Sequence, residues 1–281
     1  FFLQAEDGIR DPLWSRGLGD VYKRQFIMKC VILAGGKGTR LSEETQEIPK
    51  PMIEIGNRPI IWHIMKHYSS FGIDEFIICT GYKSNYIKNY FVNYKLNNSV
   101  IHIDINNDTV KVDSDVKENW KISIIDTGLE TNTAGRIKKI GKYITDDNFL
   151  LTYGDGVGNV DIKKTMQFHK KHKKLVTMTA AIPEGRFGSI TFKGDRISTI
   201  KEKQDNSDKF VNAGFFVVNK EALKYIKNSN EQWEKAPLRK IAASGNLMGF
   251  KHLGFWHPMD TIRDKVYLEE LSKLKNPPWK T

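Results

Sequence analysis

The sequence predicts an α/β fold with a mixed, mostly parallel central sheet flanked by helices and a smaller antiparallel extension. Three short, largely apolar runs, at 29–34, 76–80 and 149–153, are each followed directly by a glycine. Runs without apolar–polar alternation are typical of parallel strands covered on both faces. Segments with helical periodicity separate these runs, and such strand–helix alternation indicates an α/β architecture.

The elements before residue 154 are predicted by periodicity and by stop signals. Pro59 opens a helix whose apolar positions, among them Ile60 and Ile64, recur at helical spacing, and Gly72 ends it. Residues 100–105 alternate as a half-exposed strand does. In chain order the predicted elements are strand 29–34, helix 59–71, strand 76–80, helix 84–94, strands 100–105 and 121–126, helix 133–144 and strand 149–153.

Short strands separated by turns are predicted in the second half, and they indicate the antiparallel extension of the same sheet. These strands span 176–182, 188–193, 196–201 and 211–218. Helices are expected near 220–227 and 235–244, and a last one from 261 to about 274. Because no Pro/Ser-rich linker, repeat or low-complexity tract interrupts the chain, we expect a single domain over residues 28–281.

Residues 1–27 differ from the rest of the chain. They show neither helical nor strand periodicity and resemble translated adapter sequence. We therefore expect them to be extraneous to the fold and disordered. Their four acidic and four basic residues leave the net charge unaffected.

Composition and charge exclude several classes of protein. The 281 residues are 40% hydrophobic and 27% charged, and no apolar run approaches the roughly 18 residues that span a bilayer. The net charge is +11, but the lysines are spread along the chain, which disfavours nucleic-acid binding and suits a site for phosphates. The densest basic run, 169–174, is expected to be a solvated helix end. Cys30 and Cys79 lie in predicted buried strands, so reduced core thiols and a cytoplasmic protein are expected.

A glycine-rich loop follows the first predicted strand. Residues 33–41 read L-A-G-G-K-G-T-R-L, and Lys50 follows between Pro49 and Pro51. Glycines let backbone N–H groups approach a phosphate, Arg40 offers a planar fork of donors, and the prolines restrict where Lys50 points. The spacing is neither G-x-G-x-x-G nor G-x-x-x-x-G-K-[ST], and a glycine-rich turn is also common without a ligand. The whole assembly, at the end of a buried strand, favours a phosphate site.

Two aspartates are candidates for holding a divalent cation. Asp155 follows strand 149–153 between two glycines, where aspartate is also a common turn former. Asp260 precedes the last predicted helix, and its position alone suits a helix N-cap and a metal ligand equally. Mg²⁺ is usually held by one or two carboxylates together with substrate phosphates and waters, so the pair suits it.

These motifs resemble those of a known family. The stretch L-A-G-G-x-G-T-R-L-S-E-E-T, followed by P-K-P-M, resembles the signature of sugar-1-phosphate nucleotidylyltransferases. Its continuation, with E-I-G at 54–56 and W-H-I-M at 62–65, is similar to the glucose-1-phosphate cytidylyltransferase branch. The resemblance covers essentially all of 28–281 and implies a Rossmann-like nucleotidyltransferase fold with a sugar-binding extension.

The resemblance implies a Mg²⁺-dependent enzyme of the bacterial cytoplasm that acts as a homo-oligomer. Its substrates would be CTP and α-D-glucose 1-phosphate, and its products CDP-glucose and pyrophosphate, in the nucleotide-sugar supply for lipopolysaccharide O-antigen. The attacking phosphate is already ionised at neutral pH, so no general base is required. Catalysis would then consist of positioning and charge neutralisation.

The resemblance also implies roles for individual residues. Arg40 and Lys50 are expected to be catalytic, and Asp155 and Asp260 to bind Mg²⁺. Arg136, an expected nucleotide contact, is explained equally well as a surface helix residue. The expected nucleotide contacts are Leu33, Ala34, Gly35, Gly36, Lys37, Gly38, Thr39, Arg40, Lys50, Thr131, Arg136 and Gly154. The expected sugar-phosphate contacts are Tyr153, Glu202, Lys203, Asn212, Gly214 and Trp233.

Two departures from the family pattern and three alternatives stand beside this interpretation. Ile48 replaces a lysine before Pro49, and Gln204 replaces a proline after Lys203, so the loop near Lys203 is less defined. A transferase that uses UTP or dTTP is one alternative, and a catalytically silent sugar-nucleotide-binding subunit is another. A nucleic-acid-binding module is the weakest. The joint presence of the two basic and two acidic candidates argues against a silent subunit.

Overall fold

The structure of the chain is a computed structural model that describes residues 28–183, 189–193, 196–201 and 210–280. Residues 1–27 lie outside this description, and the expectation for them stays a prediction. The strands are β1 (Cys30–Leu33), β2 (Glu54–Ile55), β3 (Arg58–Pro59), β4 (Glu75–Thr80), β5 (Ser99–Asp104), β6 (Thr109–Ser114), β7 (Lys121–Asp126), β8 (Asn148–Tyr153), β9 (Gly156–Gly158), β10 (Val176–Ala181), β11 (Ser189–Lys193), β12 (Arg196–Lys201), β13 (Val211–Asn219), β14 (Leu247–His252) and β15 (Trp256–Pro258). The α-helices are α1 (Ser42–Thr45), α2 (Ile60–Ser69), α3 (Ser84–Val92), α4 (Tyr94–Asn97), α5 (Thr133–Ile140), α6 (Ile162–His172), α7 (Ala236–Ala243) and α8 (Ile262–Ser272). Short 3-10 helices occur at Thr39–Leu41, Lys50–Met52, Gly141–Tyr143 and Lys220–Tyr225.

A seven-stranded sheet forms the centre of the domain, in the order β14-β10-β13-β8-β1-β4-β7. Strands β8, β1, β4 and β7 are parallel, and β14 is parallel to β10. Strand β13 is antiparallel to both of its neighbours, β8 and β10. The predicted mixed, mostly parallel sheet flanked by helices is confirmed.

The central strand β1 explains why the sequence lacks apolar–polar alternation. Cys30 and Ile32 pack into one core, together with α2 and α8, whereas Val31 and Leu33 pack into a second core with α5 and α7. Both faces of the strand are therefore covered, and every position is apolar. The chain order also reverses at β1, since β4 lies on one side of it and β8 on the other. In open α/β sheets this reversal point is where ligands bind.

The second half differs from its prediction in three respects. Strands β10 and β13 extend the central sheet as expected, but β11 and β12 form a separate two-stranded sheet. The sequence does not predict β14, because Gly249 and the polar end of this segment weaken its strand pattern. The residues near 220–227, predicted as a helix, form the 3-10 helix Lys220–Tyr225.

Strands β5 and β6 form a hairpin apart from the central sheet. The register sets Ile101 opposite Val112 and Ile103 opposite Val110, so these four side chains share one face. Ile103 and Val110 are 67% and 66% exposed. The predicted strand 100–105 is confirmed, and within the described part of the chain its apolar face is largely uncovered.

The basic run at the end of α6 is only partly a solvated helix end. Its lysines are exposed, as predicted. The prediction is wrong for its two histidines, since His169 Nδ1 lies 2.9 Å and His172 Nε2 2.7 Å from Thr177 Oγ1. Burial lowers the pKa of His169 to about 4, so it is neutral at pH 7.

The thiols of Cys30 and Cys79 are buried and free, as the sequence predicts. Burial raises the pKa of Cys79 to about 12, which keeps this thiol protonated. Among the helices of the described ranges, none is both long and apolar enough to pass through a bilayer.

Candidate active site

A cleft of about 440 Å³ lies at the carboxyl ends of β1 and β8, where the chain order reverses. It is lined by Leu33, Ala34, Gly35, Gly36, Gly38, Thr39, Lys50, Pro51, Thr131, Asn132, Thr133, Arg136, Tyr153, Gly154, Asp155, Glu234 and Asp260. Most of the residues predicted to bind nucleotide and both predicted metal ligands are therefore brought to one place. These residues are up to 227 positions apart in the sequence, and the central sheet and the C-terminal segment bring them together.

Lys50 lies between the two aspartates. Its Nζ donates to Asp155 Oδ2 and to Asp260 Oδ1, at 2.7 Å each. Burial by itself would lower the pKa of Lys50, but the charges and hydrogen bonds of the two carboxylates raise it above its ordinary value. Lys50 is therefore a permanent cation at neutral pH, and the three groups together carry a net negative charge.

The backbone around Lys50 restricts the direction of its side chain. Pro49 is extended, with φ −70° and ψ 143°, and residues Lys50–Met52 form a 3-10 turn with Pro51 at its start. Pro51 and Met52 are buried, so they anchor the turn in the core. The P-K-P motif thus holds the ammonium at the cleft, as its two fixed φ angles predict.

A small sheet explains why the two aspartates meet. Asp155 directly precedes β9, and Asp260 follows β15 by two residues. These strands are antiparallel, with Gly156 opposite Pro258, and Met259 N donates to Asp155 O at 2.8 Å. The end of one strand and the start of the other are neighbours, which places both carboxylates beside Lys50.

Asp260 is not the N-cap of the last helix, so one of its two open interpretations is wrong. The N-cap of α8 is Thr261, which forms a capping box with Asp264. Asp264 Oδ2 accepts from Thr261 N at 2.8 Å, and Asp264 N donates to Thr261 Oγ1 at 3.3 Å. The Asp260 side chain is left to face the cleft and Lys50.

The donor set around Lys50 suits a hard divalent cation. Two carboxylates converge on one point, and Mg²⁺ takes oxygen ligands from one or two carboxylates plus phosphates and waters. No group of three or more His, Cys, Asp or Glu side chains suited to a metal occurs within the described residues. Asp155 and Asp260 therefore fit a cation that a substrate phosphate helps to hold, rather than a closed structural site.

Arg136 lies beneath the glycine-rich loop and is buried, which excludes its interpretation as a surface residue. Its Nη2 donates to Gly35 O at 2.8 Å, and its Nη1 donates to Thr80 O at 2.8 Å and to Gly128 O at 3.0 Å. One guanidinium thus ties together the loops that follow β1, β4 and β7. Burial lowers the pKa of Arg136 from its ordinary value, although arginine remains charged at any pH relevant here.

The position of Arg136 requires glycine at two of the loops that it contacts. A Cβ on Gly35 would lie 2.2 Å from Arg136 Nη1, and a Cβ on Gly81 would lie 2.5 Å from the same atom. Real Cβ atoms do not approach a nitrogen so closely. The glycines of this loop therefore accommodate the guanidinium as well as any phosphate.

Tyr153 belongs to a hydrogen-bonded chain on the other wall of the cleft. Its hydroxyl donates to Glu234 Oε1 at 2.5 Å and accepts from Asn212 Nδ2 at 3.1 Å. Asn212 Oδ1 accepts from Gly214 N at 2.9 Å, and a Cβ on Gly214 would lie 2.5 Å from Tyr153 Cδ2. Burial, with the nearby Glu234 carboxylate, raises the pKa of Tyr153 well above its ordinary value, so the hydroxyl is a donor. Asn212 and Gly214 thus hold the tyrosine that lines the cleft.

The structure corrects the assignment of Trp233. This side chain is 0% exposed and packs against Phe216 in the core, with ring centroids 6.3 Å apart, so it does not line the cleft. Its neighbour Glu234 does, with Oε2 accepting from Thr133 Oγ1 at 2.9 Å. The sequence points to this segment, but in an irregular segment no period says which of two neighbouring side chains faces the cleft and which faces the core.

The remaining predicted residues divide into four groups. Thr131 lines the cleft, and its Oγ1 donates to Thr127 O at 2.7 Å. Lys37 points away and pairs with Glu130 at 2.7 Å, so it is not among the lining residues. Arg40 lies in the 3-10 helix Thr39–Leu41 beside the loop. Glu202 and Lys203 fall outside the described residues, and their assignment stays a prediction.

A second cavity shows why the smaller cleft is the better candidate. It measures about 510 Å³ and lies between α2 and residues 272–280. Its lining, within the described residues, has four basic side chains, Arg58, Lys66, Lys275 and Lys280, and no carboxylate. Arg58 and Lys66 both rest against the ring of Trp62, at 5.5 and 5.7 Å from its centroid. The described lining of this cavity therefore offers no carboxylate for a hard cation such as Mg²⁺.

Comparison with known proteins gives a family and a fold. A family model described as nucleotidyl transferase matches residues 29–257. Glucose-1-phosphate cytidylyltransferase of Salmonella typhimurium is 49% identical over 255 residues, which cover 90% of this chain and 99% of the relative. A probable glucose-1-phosphate cytidylyltransferase of Bacillus subtilis is 39% identical over 254 residues, with the same coverage of both chains.

Solved structures resemble the fold at low sequence identity. HddC from Yersinia pseudotuberculosis matches with a TM-score of 0.66 and 23% identity, over 87% of this chain and 99% of that one. A putative glucose-1-phosphate thymidylyltransferase from Bacillus anthracis matches with a TM-score of 0.62 and 18% identity, over 89% and 96%. At these identities the matches identify the type of fold.

Proposed function

We propose that this chain, which belongs to the nucleotidyl transferase family, transfers a cytidylyl group from CTP to glucose 1-phosphate. The products would be CDP-glucose and pyrophosphate. The observation that carries the proposal is the position of Lys50, 2.7 Å from both Asp155 and Asp260, in a cleft that faces the glycine-rich loop. Cations and a carboxylate pair at a phosphate loop are the arrangement that phosphoryl and nucleotidyl transfer require.

The chemical step needs little from the protein beyond positioning and charge. A phosphate oxygen of glucose 1-phosphate forms a bond to the α-phosphorus of CTP, and the bond from that phosphorus to the bridging oxygen of pyrophosphate breaks. Pyrophosphate leaves with the bonding electrons, and no proton has to be removed from the nucleophile. This is consistent with a cleft whose described lining contains no Ser-His or Cys-His pair.

Individual residues would each stabilise part of the transferring group. The ammonium of Lys50 would neutralise charge on the α-phosphate, and the backbone N–H groups of residues 35–39 would hold the β- and γ-phosphates, with Arg40 beside them. Asp155 and Asp260 would hold Mg²⁺, which when bound supplies charge neutralisation across the phosphates. Tyr153 and Glu234, on the opposite wall, would orient the hexose. Glu202 and Lys203, which are not among the described residues, are retained as proposed sugar-phosphate contacts.

The choice of base and sugar is supported by the relatives. The two cytidylyltransferases named above match this chain over 99% of their own length. The nucleotide contact proposed for Thr131 is supported by its place at the cleft, whereas Arg136, which also lines the cleft, would act on the nucleotide by holding the glycine-rich loop in shape. A uridylyl- or thymidylyltransferase would have the same phosphate chemistry, so only the base would distinguish it.

The proposal is tested by measuring pyrophosphate release with glucose 1-phosphate, Mg²⁺ and, in separate reactions, CTP, UTP, dTTP, ATP and GTP. We expect turnover with CTP to exceed that with each other nucleotide by at least about tenfold in kcat/KM, because a hydrogen-bonding base site rejects mismatched partners. Galactose 1-phosphate and mannose 1-phosphate serve as sugar controls.

Two outcomes would contradict this assignment in different ways. Turnover with UTP but not with CTP would remove the cytidylyl specificity and leave the transfer chemistry intact. No turnover with any nucleotide, in a protein that still binds CDP-glucose, would favour the silent sugar-nucleotide-binding subunit.

We also propose that the enzyme works as a cytoplasmic homo-oligomer. The apolar face of the β5–β6 hairpin, with Ile101, Ile103 and Val110, supports this, because soluble monomers rarely expose contiguous apolar patches. Sedimentation velocity of the wild type and of Ile103→Lys would test the assembly. A wild type that sediments as a monomer at assay concentrations would overturn it.

A further inference from the structure

Asp264 is a buried carboxylate next to the candidate active site. Its role in capping a helix does not account for all of its contacts. It is the third residue of α8 and is 5% exposed. Its Oδ2 accepts from Thr261 N at 2.8 Å, and Asp264 N donates to Thr261 Oγ1 at 3.3 Å, which together form the capping box; Thr261 Oγ1 also donates to Oδ2 at 2.9 Å. The same oxygen also accepts from Asp260 N at 3.0 Å, a contact that a capping box does not include.

The other oxygen of Asp264 reaches the opposite flank of Asp260. Asp264 Oδ1 lies 3.1 Å from His257 Nε2, and His257 belongs to β15, three residues before Asp260. One carboxylate therefore contacts the strand before Asp260, the backbone of Asp260 itself and the helix start after it. The direction of the Asp260 side chain depends on this short segment.

Another helix of the same chain shows what a plain cap looks like. Asp161 caps α6 through a hydrogen bond from Lys164 N to its Oδ1, at 2.8 Å. Asp161 is the N-cap itself, and it lies in a loop that carries none of the lining residues of the cleft. The additional contacts of Asp264 thus occur at the helix start that adjoins the carboxylate pair.

We propose that Asp264 is a positioning residue that fixes Asp260 toward Asp155 and Lys50 and thereby sets the affinity of the site for its divalent cation. This inference rests on the proposed function, since it concerns the cation assigned to Asp155 and Asp260. Groups that orient metal ligands typically contribute about 10- to 100-fold to metal affinity. In this role Asp264 would act through Asp260, without direct contact with substrate or cation.

The test compares the Mn²⁺ Kd of variants with that of the wild type. It is measured by electron paramagnetic resonance on protein saturated with CDP-glucose, and a protein-free blank corrects for Mn²⁺ bound by the sugar nucleotide. Asp264→Ala is expected to raise the Mn²⁺ Kd about 10-fold or more. Asp264→Glu keeps the charge and a residue that capping boxes favour, but its longer side chain moves the carboxylate away from Asp260 N. We expect it to fold like the wild type and still to weaken Mn²⁺ binding several-fold.

Two control variants separate positioning from helix capping. Thr261→Ala removes the capping hydroxyl and leaves the bond from Asp260 N to Asp264, so it should lower thermal stability more than Mn²⁺ affinity. Asp161→Ala removes the plain cap of α6 and should cost about 1 kcal/mol of stability with an unchanged Mn²⁺ Kd.

A conservative variant of Asp264 itself tests the contact with Asp260 N. The amide oxygen of Asp264→Asn can still accept from Asp260 N, so this variant should keep most of the Mn²⁺ affinity that Asp264→Ala loses.

The outcomes distinguish this inference from the proposed function. If Asp264→Ala and Asp264→Glu bind Mn²⁺ as the wild type does, the positioning role is overturned while the enzyme activity stands. If Asp161→Ala weakens Mn²⁺ binding as much as Asp264→Ala, the effect is one of general stability and the role is likewise overturned. If the wild type itself binds no Mn²⁺ in the product complex, the metal assignment and this inference both fail.

Discussion

The two walls of the cleft each hold one cation away from solvent, but with opposite kinds of partner. On the loop side, formed by residues 34–39, the Arg136 guanidinium is surrounded by backbone carbonyls and a hydroxyl, all neutral. On the carboxylate side, formed by β9, β15, Asp155 and Asp260, the Lys50 ammonium faces two carboxylates. The first arrangement is a fixed link between loops, and the second is a charge cluster that can accept another cation.

The comparison shows that the partners of a basic residue, more than its presence in a cleft, indicate what it does. Arg136 satisfies carbonyl groups that would otherwise be buried without donors, so its role is to hold the loops in shape. Lys50 sits in a cluster with net negative charge, which attracts a divalent cation and the phosphates that accompany it. A variant on either side should therefore affect different measurements.

The largest expected effect is on the carboxylate side. Lys50→Ala should lower kcat about 10²- to 10³-fold, because one preorganised cation at the transferring phosphate is lost. The global fold should survive, since the side chain is at the surface of the cleft. Steady-state pyrophosphate release measures the effect.

Lys121→Ala is the matched control for this variant. Lys121 is an exposed lysine that pairs with Glu75 at 3.1 Å in the central sheet, away from the lining residues. Its loss should change kcat by less than about twofold, since exposed ion pairs contribute little. A near-normal kcat for Lys50→Ala would remove Lys50 from the mechanism.

The next effect lies on the loop side and concerns stability. Gly35→Ala forces a Cβ to within 2.2 Å of Arg136 Nη1, so the guanidinium must leave its carbonyls, at a cost of about 3 kcal/mol. Gly36→Ala has nothing within 4 Å of the new Cβ and should leave the free energy of unfolding unchanged. Urea unfolding measures both values.

A double-mutant cycle identifies the cause. In an Arg136→Ala background the clash is absent, so Gly35→Ala should cost much less than it does alone. Additive costs would mean that Gly35 is needed for backbone conformation instead, and the link between Arg136 and the loop would lose its support.

A smaller effect concerns the support behind the carboxylate side. His67 on α2 lies with Nε2 2.8 Å from Val160 O, just after β9, and burial lowers its pKa to about 4. An unfolded histidine has a pKa near 6.5, so between pH 6.5 and 4 the unfolded chain binds the additional proton. Stability should fall as the pH drops through this window, by about 2 kcal/mol at pH 5 from this group.

Urea unfolding at pH 7.5 and pH 5 checks the sign and the size of this contribution. The His67→Gln variant should lose less stability between the two pH values than the wild type. His169→Gln serves as a comparison, since it removes a separate buried histidine of similar pKa. If His67→Gln and the wild type show the same pH dependence of stability, His67 takes up its proton as readily in the native protein as in the unfolded chain, and the prediction is wrong.

The smallest effect is expected for the sugar-facing wall. Tyr153→Phe removes the hydroxyl that donates to Glu234 Oε1, and this hydrogen bond orients the carboxylate in the cleft. We expect KM for glucose 1-phosphate to rise about fivefold, equivalent to about 1 kcal/mol, with kcat little changed. The exposed Tyr143→Phe is the control, and a lower kcat with an unchanged KM would contradict the assignment.

Much of the site could be predicted because its residues lie in local patterns. The buried strand, glycine loop and P-K-P motif indicate a phosphate site within residues 29–51, and the G-D-G and P-M-D-T segments carry the two aspartates. The family resemblance turned these fragments into one site, and the cleft that contains them is where the order of strands predicts a ligand. Glu234 and the role of Asp264 could not be found in this way, since each depends on which side of an irregular segment faces the cleft.

Two assignments show where local reasoning ends. Trp233 and Glu234 are adjacent, and only packing decides that the indole enters the core while the carboxylate reaches Tyr153. Asp260 and Thr261 are adjacent as well, and only the contacts of Asp264 decide that Thr261 caps the helix. In both pairs the sequence pattern does not distinguish the two neighbours, so either residue could be assigned the role.

The sequence by itself determined the α/β class, the strand–loop–helix order around the phosphate loop and the residue types that the chemistry uses. These features follow from period, glycine and proline positions and charge, which act over a few residues. The tertiary structure alone decided that Lys50 meets residues 105 and 210 positions away, that Arg136 is a buried link between three loops, and that Trp233 belongs to the core. Contacts over such separations depend on how the sheet is ordered and how its faces pack, and no local pattern records that order.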